Sequence, residues 1–260
     1  MKFRRNMVLE VSPERITGIE FSKNIILNKA LKIACTNTYD RDITNIKDFE
    51  IDIRDKNLYI LVEGESVYIK IITLPLVKKH LINDLIKNEL RYYYKDIDNI
   101  AFTYKLIKKN KSNMEILVYC LKGDNLAILE KCVDNNINLK TVNIIQFCLK
   151  NYYGSRIVEK NYILIFNYNF NLYFLICQSD EIVSNAITSV KELVPLKFSF
   201  VVEEFLEQYS DYAKLCNKIY FANIGELNLN IIEFKKLTLP YLILDDIKHE
   251  ELIKYIIKKG

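Results

Sequence analysis

Leu9-Glu-Val-Ser-Pro-Glu-Arg-Ile-Thr-Gly-Ile-Glu-Phe21 is the stretch on which the reading of the fold turns. Met7–Val11 and Ile16–Phe21 are short runs rich in β-branched and large apolar residues, and Ser12-Pro13-Glu14-Arg15 between them is a turn signal. The spacing predicts a β-hairpin. Further along, Ala30–Thr36 predicts a third strand, and Asn57–Leu61 and Ser66–Leu74 a further pair split by Glu63-Gly64-Glu65. The amino-terminal quarter is expected to be strand-rich.

After Pro75, the stretch from Lys79 to Tyr94 has Leu81, Leu85, Leu90 and Tyr93 near one face and Asp84, Lys87, Asn88 and Arg91 elsewhere, the pattern of an amphipathic helix. Phe102–Leu106 and Glu115–Cys120 predict a strand pair around a lysine-rich turn, and Asp124–Asn135 a second helix. Thr141–Tyr153 reads as a helix leading back to the main body. Tyr162–Phe166 and Leu172–Cys177 read as strands joined by the polar Asn167-Tyr-Asn-Phe-Asn171, with Ile182–Ala186 a third. Apolar residues from Phe198 to Ala213 recur at three and four, predicting a helix over about 196–214. Lys218–Ala222 follows as a strand, Leu227–Phe234 as a helix or turn, and Leu252–Ile257 as part of a final helix.

Composition closes several routes to chemistry. The 260 residues include only six Gly and four Pro, and no two glycines are closer than Gly123 and Gly154. A dinucleotide fingerprint or Walker A loop needs closely spaced positions without a Cβ, where backbone amides approach phosphate, so neither exists here. The net charge of +4 comes from 37 basic and 33 acidic residues. The densest basic stretch, Lys105 to Lys111, reads as a solvated hairpin end rather than a nucleic-acid or anionic-membrane footprint.

Cys35, Cys120, Cys132, Cys148, Cys177 and Cys216 show no C-x-x-C or zinc spacing and read as buried reduced thiols, which fits a cytosolic compartment. The start of the chain meets Glu10 before an apolar segment can form and does not read as a secretory signal. The uncharged stretch from Asn161 to Ser179 carries amides at alternating positions, which suits a strand hairpin and not a membrane span. Two histidines, His80 and His249, cannot form a multi-histidine metal site and read as surface helix residues. No serine sits in a G-x-S-x-G elbow. Glu203-Glu204, Asp245-Asp246 and Glu250-Glu251 read as solvated faces or helix ends, and Tyr92-Tyr93-Tyr94 as a helix packing one or two rings.

With these elements in order, Leu9 to Phe21 resembles the first phosphate hairpin of the actin-like ATPase fold as found in PilM-type cytoplasmic type IV pilus assembly proteins, where D-I-G-S-S-S-V-K-A-V-E-L is typical. Glu10 replaces the Asp, Ser12 the Gly and Thr17 the Lys, while Val11, Ile16, Ile19, Glu20 and Phe21 keep the pattern. Val67 to Pro75 with the following helix resembles the opening of that family's inserted α/β subdomain, and Met114–Cys120 with the helix from Asp124 through Asn138 its end. Leu164-Ile-Phe-Asn-Tyr-Asn169 stands in the place of the second phosphate hairpin, and Val201–Ala222 resembles the helix and strand leading to the adenosine loop.

The resemblance implies an α/β, actin-like fold, truncated, with an inserted small α/β subdomain. The expected domains are 1–65 plus 143–160 as the first actin-like subdomain, 66–142 as the insertion and 161–260 as a shortened second subdomain. Asn167 stands where the family has Asp, Asn169 where it has Gly, and Ala222-Asn-Ile-Gly225 has one Gly where the family has two or three. Those losses remove expected metal-water coordination and close backbone approach to phosphate. About thirty residues separate Ile187 from Lys218, so a subdomain over the nucleotide is expected to be missing. The cytoplasmic domain of GspL, from type II secretion, is similar in lacking nucleotide chemistry, although it continues into a membrane helix and none is expected here.

What the resemblance implies is a non-catalytic cytoplasmic scaffold at the inner face of the membrane. Its expected partner is the cytoplasmic tail of a PilN-like bitopic membrane protein, with a pilus assembly ATPase and a platform protein as further partners. No catalytic, cofactor-binding or metal-binding residue is assigned, no nucleic acid is expected to bind, and the membrane is reached only through a partner. The alternative is a divergent actin-like ATPase that still binds nucleotide.

Overall fold

The computed structural model describes residues 5–12, 15–21, 41–42, 56–64, 67–94, 97, 100–122, 138–190, 194–225, 234 and 237–259. The first hairpin forms as its residues dictate: β1 (Arg5–Val11) pairs antiparallel with β2 (Arg15–Phe21), Val11 opposite Ile16. Every residue from Met7 to Val11 is buried, the pattern of a central strand covered on both faces. β3 (Arg41–Asp42) lies against β2, while β4 (Lys56–Val62) runs parallel to β1 on its other side.

Between β4 and the last strand of this sheet the chain makes a separate three-stranded sheet. β5 (Val67–Pro75) is followed by helix α1 (Lys79–Tyr93), then β6 (Ile100–Lys109) and β7 (Asn113–Lys122), in the order β5-β7-β6. Ile82, Ile86 and Leu90 of α1 pack on Ile72, Leu74, Met114, Ile116, Val118 and Cys120 of this sheet. The outer edge of β5 is met by a side chain: Asn185 donates to the Val67 carbonyl and accepts from the Ile69 N–H, each at 3.0 Å. β8 (Asn138–Ile144) then returns to pair parallel with β4, giving the order β3-β2-β1-β4-β8, and α2 (Ile145–Tyr153) follows it.

The second half repeats the plan. β9 (Tyr162–Tyr168), β10 (Asn171–Gln178) and β11 (Glu181–Ser189) form an antiparallel meander. Its two turns, Asn169-Phe170 and Ser179-Asp180, hold all four residues at φ between 46° and 64°. Two consecutive left-handed residues make the tight turn whose twist matches a hairpin, here built without glycine. α3 (Pro195–Gln208) and α4 (Ser210–Ala213) connect β11 to β12 (Lys218–Ala222), and β13 (Tyr241–Ile243) lies parallel beyond it before α5 (His249–Lys259). The order β11-β10-β9-β12-β13 matches that of the first sheet strand for strand, antiparallel and parallel neighbours included. Between β11 and β12 the described residues form only α3, α4 and their links, with no further sheet.

The largest core lies between the two sheets. Val8, Tyr59 and Leu61 meet Leu164, Phe166, Tyr173 and Leu175 there, together with Ile145, Leu149 and Tyr153 of α2 and Leu252, Ile253 and Ile256 of α5. The opposite face of the second sheet, with Ile163, Ile165 and Phe174, packs on Phe198, Val202 and Phe205 of α3. Cys120, Cys148, Cys177 and Cys216 are buried free thiols. Burial pushes the first three up to about 12 and Cys216 to about 11, which leaves them unreactive as nucleophiles.

Three expectations change. Thr141–Tyr153 is not one helix: residues through Ile144 form β8, because β4 offers a free parallel edge, and the helix starts at Ile145. β8 consequently belongs to the first sheet, although the sequence groups residues up to 142 with the insertion. The buried face of α1 is Ile82, Ile86 and Leu90, a straight i, i+4, i+8 stripe, while Leu81 is 41% exposed and Tyr93 also faces outward. The strand expected at Ala30–Thr36 and the helix at Asp124–Asn135 lie outside the described residues, as do Leu227–Phe234 except for Phe234, Cys35 and Cys132.

The two candidate faces of α1 separate by mutation. Ile86→Ala is expected to destabilise the protein by about 2–5 kcal/mol in urea titration, and Leu81→Ala by less than about 0.5 kcal/mol.

Candidate functional site

In a parallel α/β arrangement, ligands bind beyond the carboxyl ends of the strands where the order reverses. Here that place lies where β1 and β9, the corresponding first strands of the two halves, end near the ends of β4 and β12. The residues gathered there are Glu10, Glu63, Gly64, Tyr168, Asn169 and Tyr173, with Asn223 and His249 alongside.

Glu10 is 4% exposed, and a carboxylate so deeply buried needs donors. Tyr168 hydroxyl supplies one at 2.7 Å, across from the other half of the molecule. His249 Nε2, at the start of α5, lies 2.7 Å from the same Oε1. Burial first, then the charges of Glu10 and Glu63, hold the Tyr168 phenol well above its usual value, so it stays a donor. The hydrogen bond to Glu10 raises the His249 pKa, opposed by partial burial.

Glu63 makes the second crossing. Asn169 Nδ2 donates to both of its carboxylate oxygens at 3.0 Å, from a backbone at φ 46° in the β9–β10 turn. The left-handed conformation points this turn at the end of β4. Next to Glu63, the Gly64 N–H donates to the Tyr173 hydroxyl oxygen at 2.9 Å, and the Glu63 N–H donates to the Val11 carbonyl at 2.9 Å. Burial, then Glu63, raises the Tyr173 pKa.

The loop after β12 is tied to the carboxyl-terminal segment. Asn223, at φ 52°, accepts from the Ile247 N–H at 2.6 Å, and the Tyr153 hydroxyl lies 3.3 Å from the same Asn223 oxygen and 2.9 Å from the Asp245 carbonyl. Gly225 follows at φ 60°, yet a Cβ there would meet no protein atom within 4 Å. What Gly225 provides is backbone conformation, not close packing.

Of the positions singled out by sequence, Glu10 and Asn169 come to the cleft, from opposite halves, and Thr17 pairs with Glu10 in the hairpin register. Asn167 sits one turn of the pleat back, opposite Leu172. His249 is on a helix as expected, but it faces Glu10, 239 residues away, a contact that no local pattern announces. Glu63, Tyr168 and Tyr173 carried no signal beyond being polar residues in or beside apolar strands. His80 is exposed on α1. Among the described residues no group of three or more His, Cys, Asp or Glu is placed to hold a metal ion, and no helix is long and apolar enough to cross a membrane.

The duplicated five-stranded sheets enclosing this cleft define an actin-like fold. No protein-family profile matches the chain, and no curated protein matches it in sequence. Solved structures do. The cytoplasmic domain of EpsL, an inner membrane component of the type II secretion system of Vibrio cholerae, superposes with a TM-score of 0.57 at 8% identity, over 98% of this chain and 95% of that one. The PilM-PilN type IV pilus biogenesis complex contains a chain similar at a TM-score of 0.59 and 11% identity, over 97% and 95%. A Bacteroides thetaiotaomicron protein of actin-like ATPase fold gives 0.50 and 10%, over 93% and 91%.

Tyr168→Phe leaves the buried Glu10 short of a donor and is expected to lower stability by about 1–3 kcal/mol in urea titration. The His249 pKa is raised in the folded protein, so its contribution is complete below the unfolded value of about 6.5 and is lost as pH rises through the folded one. The stability difference between the wild type and His249→Gln should therefore be largest near about pH 6 and shrink towards about pH 9.

Proposed function

We propose that the chain is a non-catalytic scaffold in a type IV pilus or type II secretion-like assembly platform. The observation that carries this reading is the double crossing of the cleft, Tyr168 to Glu10 and Asn169 to Glu63. The two hairpins that cradle phosphate in a nucleotide-binding relative are here joined by Tyr168 and Glu10, and Asn169 ties the second hairpin to Glu63 at the end of β4. Buried carboxylates repel a polyphosphate unless a cation intervenes. The likeness in fold to an EpsL cytoplasmic domain and to the PilM-PilN complex supports the assembly role. Fold by itself does not fix function, so the role stands on its tests.

In this reading the chain works in the cytoplasm at the inner face of the membrane, reached through the cytoplasmic tail of a PilN-like bitopic protein. An extended or helical tail in a preformed groove needs complementary shape and no catalytic group. A pilus assembly ATPase and a platform protein are further partners.

The second reading, a divergent ATPase, draws on the same two acids: Glu10 and Glu63 stand at the ends of the neighbouring strands β1 and β4, and carboxylates so placed could hold a magnesium-bound nucleotide. Calorimetric titration with Mg-ATP decides. The scaffold reading expects no saturable heat, and clear micromolar binding overturns it in favour of the ATPase. Capture of the full chain by a PilN-type amino-terminal tail, and not by a scrambled tail, is the expected positive result.

A further inference from the structure

Two lysine-rich stretches distant in sequence meet at one end of the inserted sheet. β5 ends with Pro75 opposite Asn113, the first residue of β7, and β6 ends with Lys109 opposite Met114. The Leu76 N–H donates to the Ser112 carbonyl at 3.1 Å, which ties the lead-in to α1 to the β6–β7 turn. Lys78, Lys79 and His80 from one stretch thereby join Lys108, Lys109 and Lys111 from the other, and all six are exposed. Lys105, further back on β6, is not part of this group, because it pairs with Glu181 at 2.6 Å.

Neither 76–83 nor 105–114 contains an Asp or Glu. The nearest acids along these elements are Asp84 on α1 and Glu115 on β7, and among the described residues neither is ion-paired with the five lysines. Set among the lysines are four exposed aliphatic side chains, Leu76, Leu81, Leu106 and Ile107, between 41% and 50% exposed.

We propose that this end of the inserted subdomain docks directly on an anionic phospholipid surface. The chemistry is complementary on two counts. Lysines with no acidic partner among the described residues are drawn to acidic headgroups, and their long stems allow the ammonium groups to follow a fluid surface. Aliphatic side chains interspersed with them enter the headgroup boundary, a gain that a purely polar polyanion does not offer. Nucleic acid fits less well: the two stretches hold no Arg, Phe, Tyr or Trp, and Tyr92 and Tyr93 lie at the far end of α1, about 20 Å away along the helix. This contact goes beyond the scaffold reading, in which a partner alone reaches the membrane, and does not depend on it.

The test is co-sedimentation of the full chain with vesicles of phosphatidylcholine alone and with about a quarter phosphatidylglycerol. Binding is expected only to the anionic vesicles and should weaken as salt rises. Each lysine removed should lower the apparent partition coefficient about fivefold, so Lys78→Gln/Lys79→Gln/Lys108→Gln/Lys109→Gln/Lys111→Gln should bring it near the neutral-vesicle level. Lys108→Gln/Lys109→Gln alone should lower it about twenty-five-fold, which keeps the test open if the variant with five substitutions does not fold. Lys258→Gln/Lys259→Gln, which removes equal charge from the end of α5, should bind as the wild type. Leu76→Asn/Leu81→Asn should also weaken binding. Equal loss in the α5 control, unchanged binding in the lysine variants, no binding to anionic vesicles, or capture of RNA or DNA without vesicle binding would each overturn the proposal.

Discussion

A carboxylate removed from water must be met by donors, and Glu10 meets that demand with groups from the far side of the molecule. Its position on a central strand buries it; Tyr168, at the end of the corresponding strand of the second half, and His249, at the start of the last helix, satisfy it. One buried charge thus brings together three parts of the chain separated by 158 and 239 residues. The penalty for leaving such a group unpaired exceeds the net worth of an ordinary hydrogen bond, so the arrangement holds more firmly than its two contacts suggest. Glu63 and Asn169 repeat the same logic one strand over.

The duplicated sheets explain why the crossings fall where they do. Each half ends its first and fourth strands at the same edge, and the two halves face each other there through a common core that includes both post-sheet helices. The Tyr152 and Tyr255 rings of α2 and α5 meet edge to face at 5.6 Å, at the back of that core. In such a frame the cleft residues need only short side chains to span it, and an asparagine at a left-handed turn does what a glycine cannot: it makes the same bend and adds an amide that reaches across.

Much of the frame was legible from local pattern. The hairpins at Leu9–Phe21 and from Tyr162, the α3 region and the final helix follow from periodicity, since a strand or helix with a defined buried face writes that face into consecutive residues. What depended on partners distant in sequence was not legible. The last four residues of β8, Thr141 to Ile144, read as the start of a helix until β4 is known to offer them an edge. The leucines of α1 are more conspicuous than its isoleucines, but the sheet beneath selects Ile82, Ile86 and Leu90. At the cleft, the replaced glycines marked Ser12 and Asn169, and nothing marked His249 or Tyr168, whose importance lies in a contact made only on folding. Lys78-Lys79 and Lys108-Lys109 are ordinary pairs until the sheet brings them to one end.

The inserted subdomain is braced in the same manner as the cleft. Asn185 of β11 satisfies the edge of β5, and Glu181, at the start of the same strand, takes Lys105 and the Tyr119 hydroxyl. The Lys105 hydrogen bond, ahead of opposing burial, lowers the Glu181 pKa, so the carboxylate stays charged for both. A hinge between the halves would have to open the Glu10 and Glu63 crossings, and any motion of the insertion against the second half would strip the edge of β5 of its partner. Domain closure is carried by a few yielding residues between bodies that are otherwise free to separate. Here the bodies are cross-linked by polar contacts at each junction, buried at Tyr168–Glu10, part-buried at Asn169–Glu63 and at Asn185 on β5, and exposed at Lys105–Glu181, and movement would break each of them. In the scaffold proposed above, such a frame holds bound partners at fixed positions, because opening it breaks contacts at every junction.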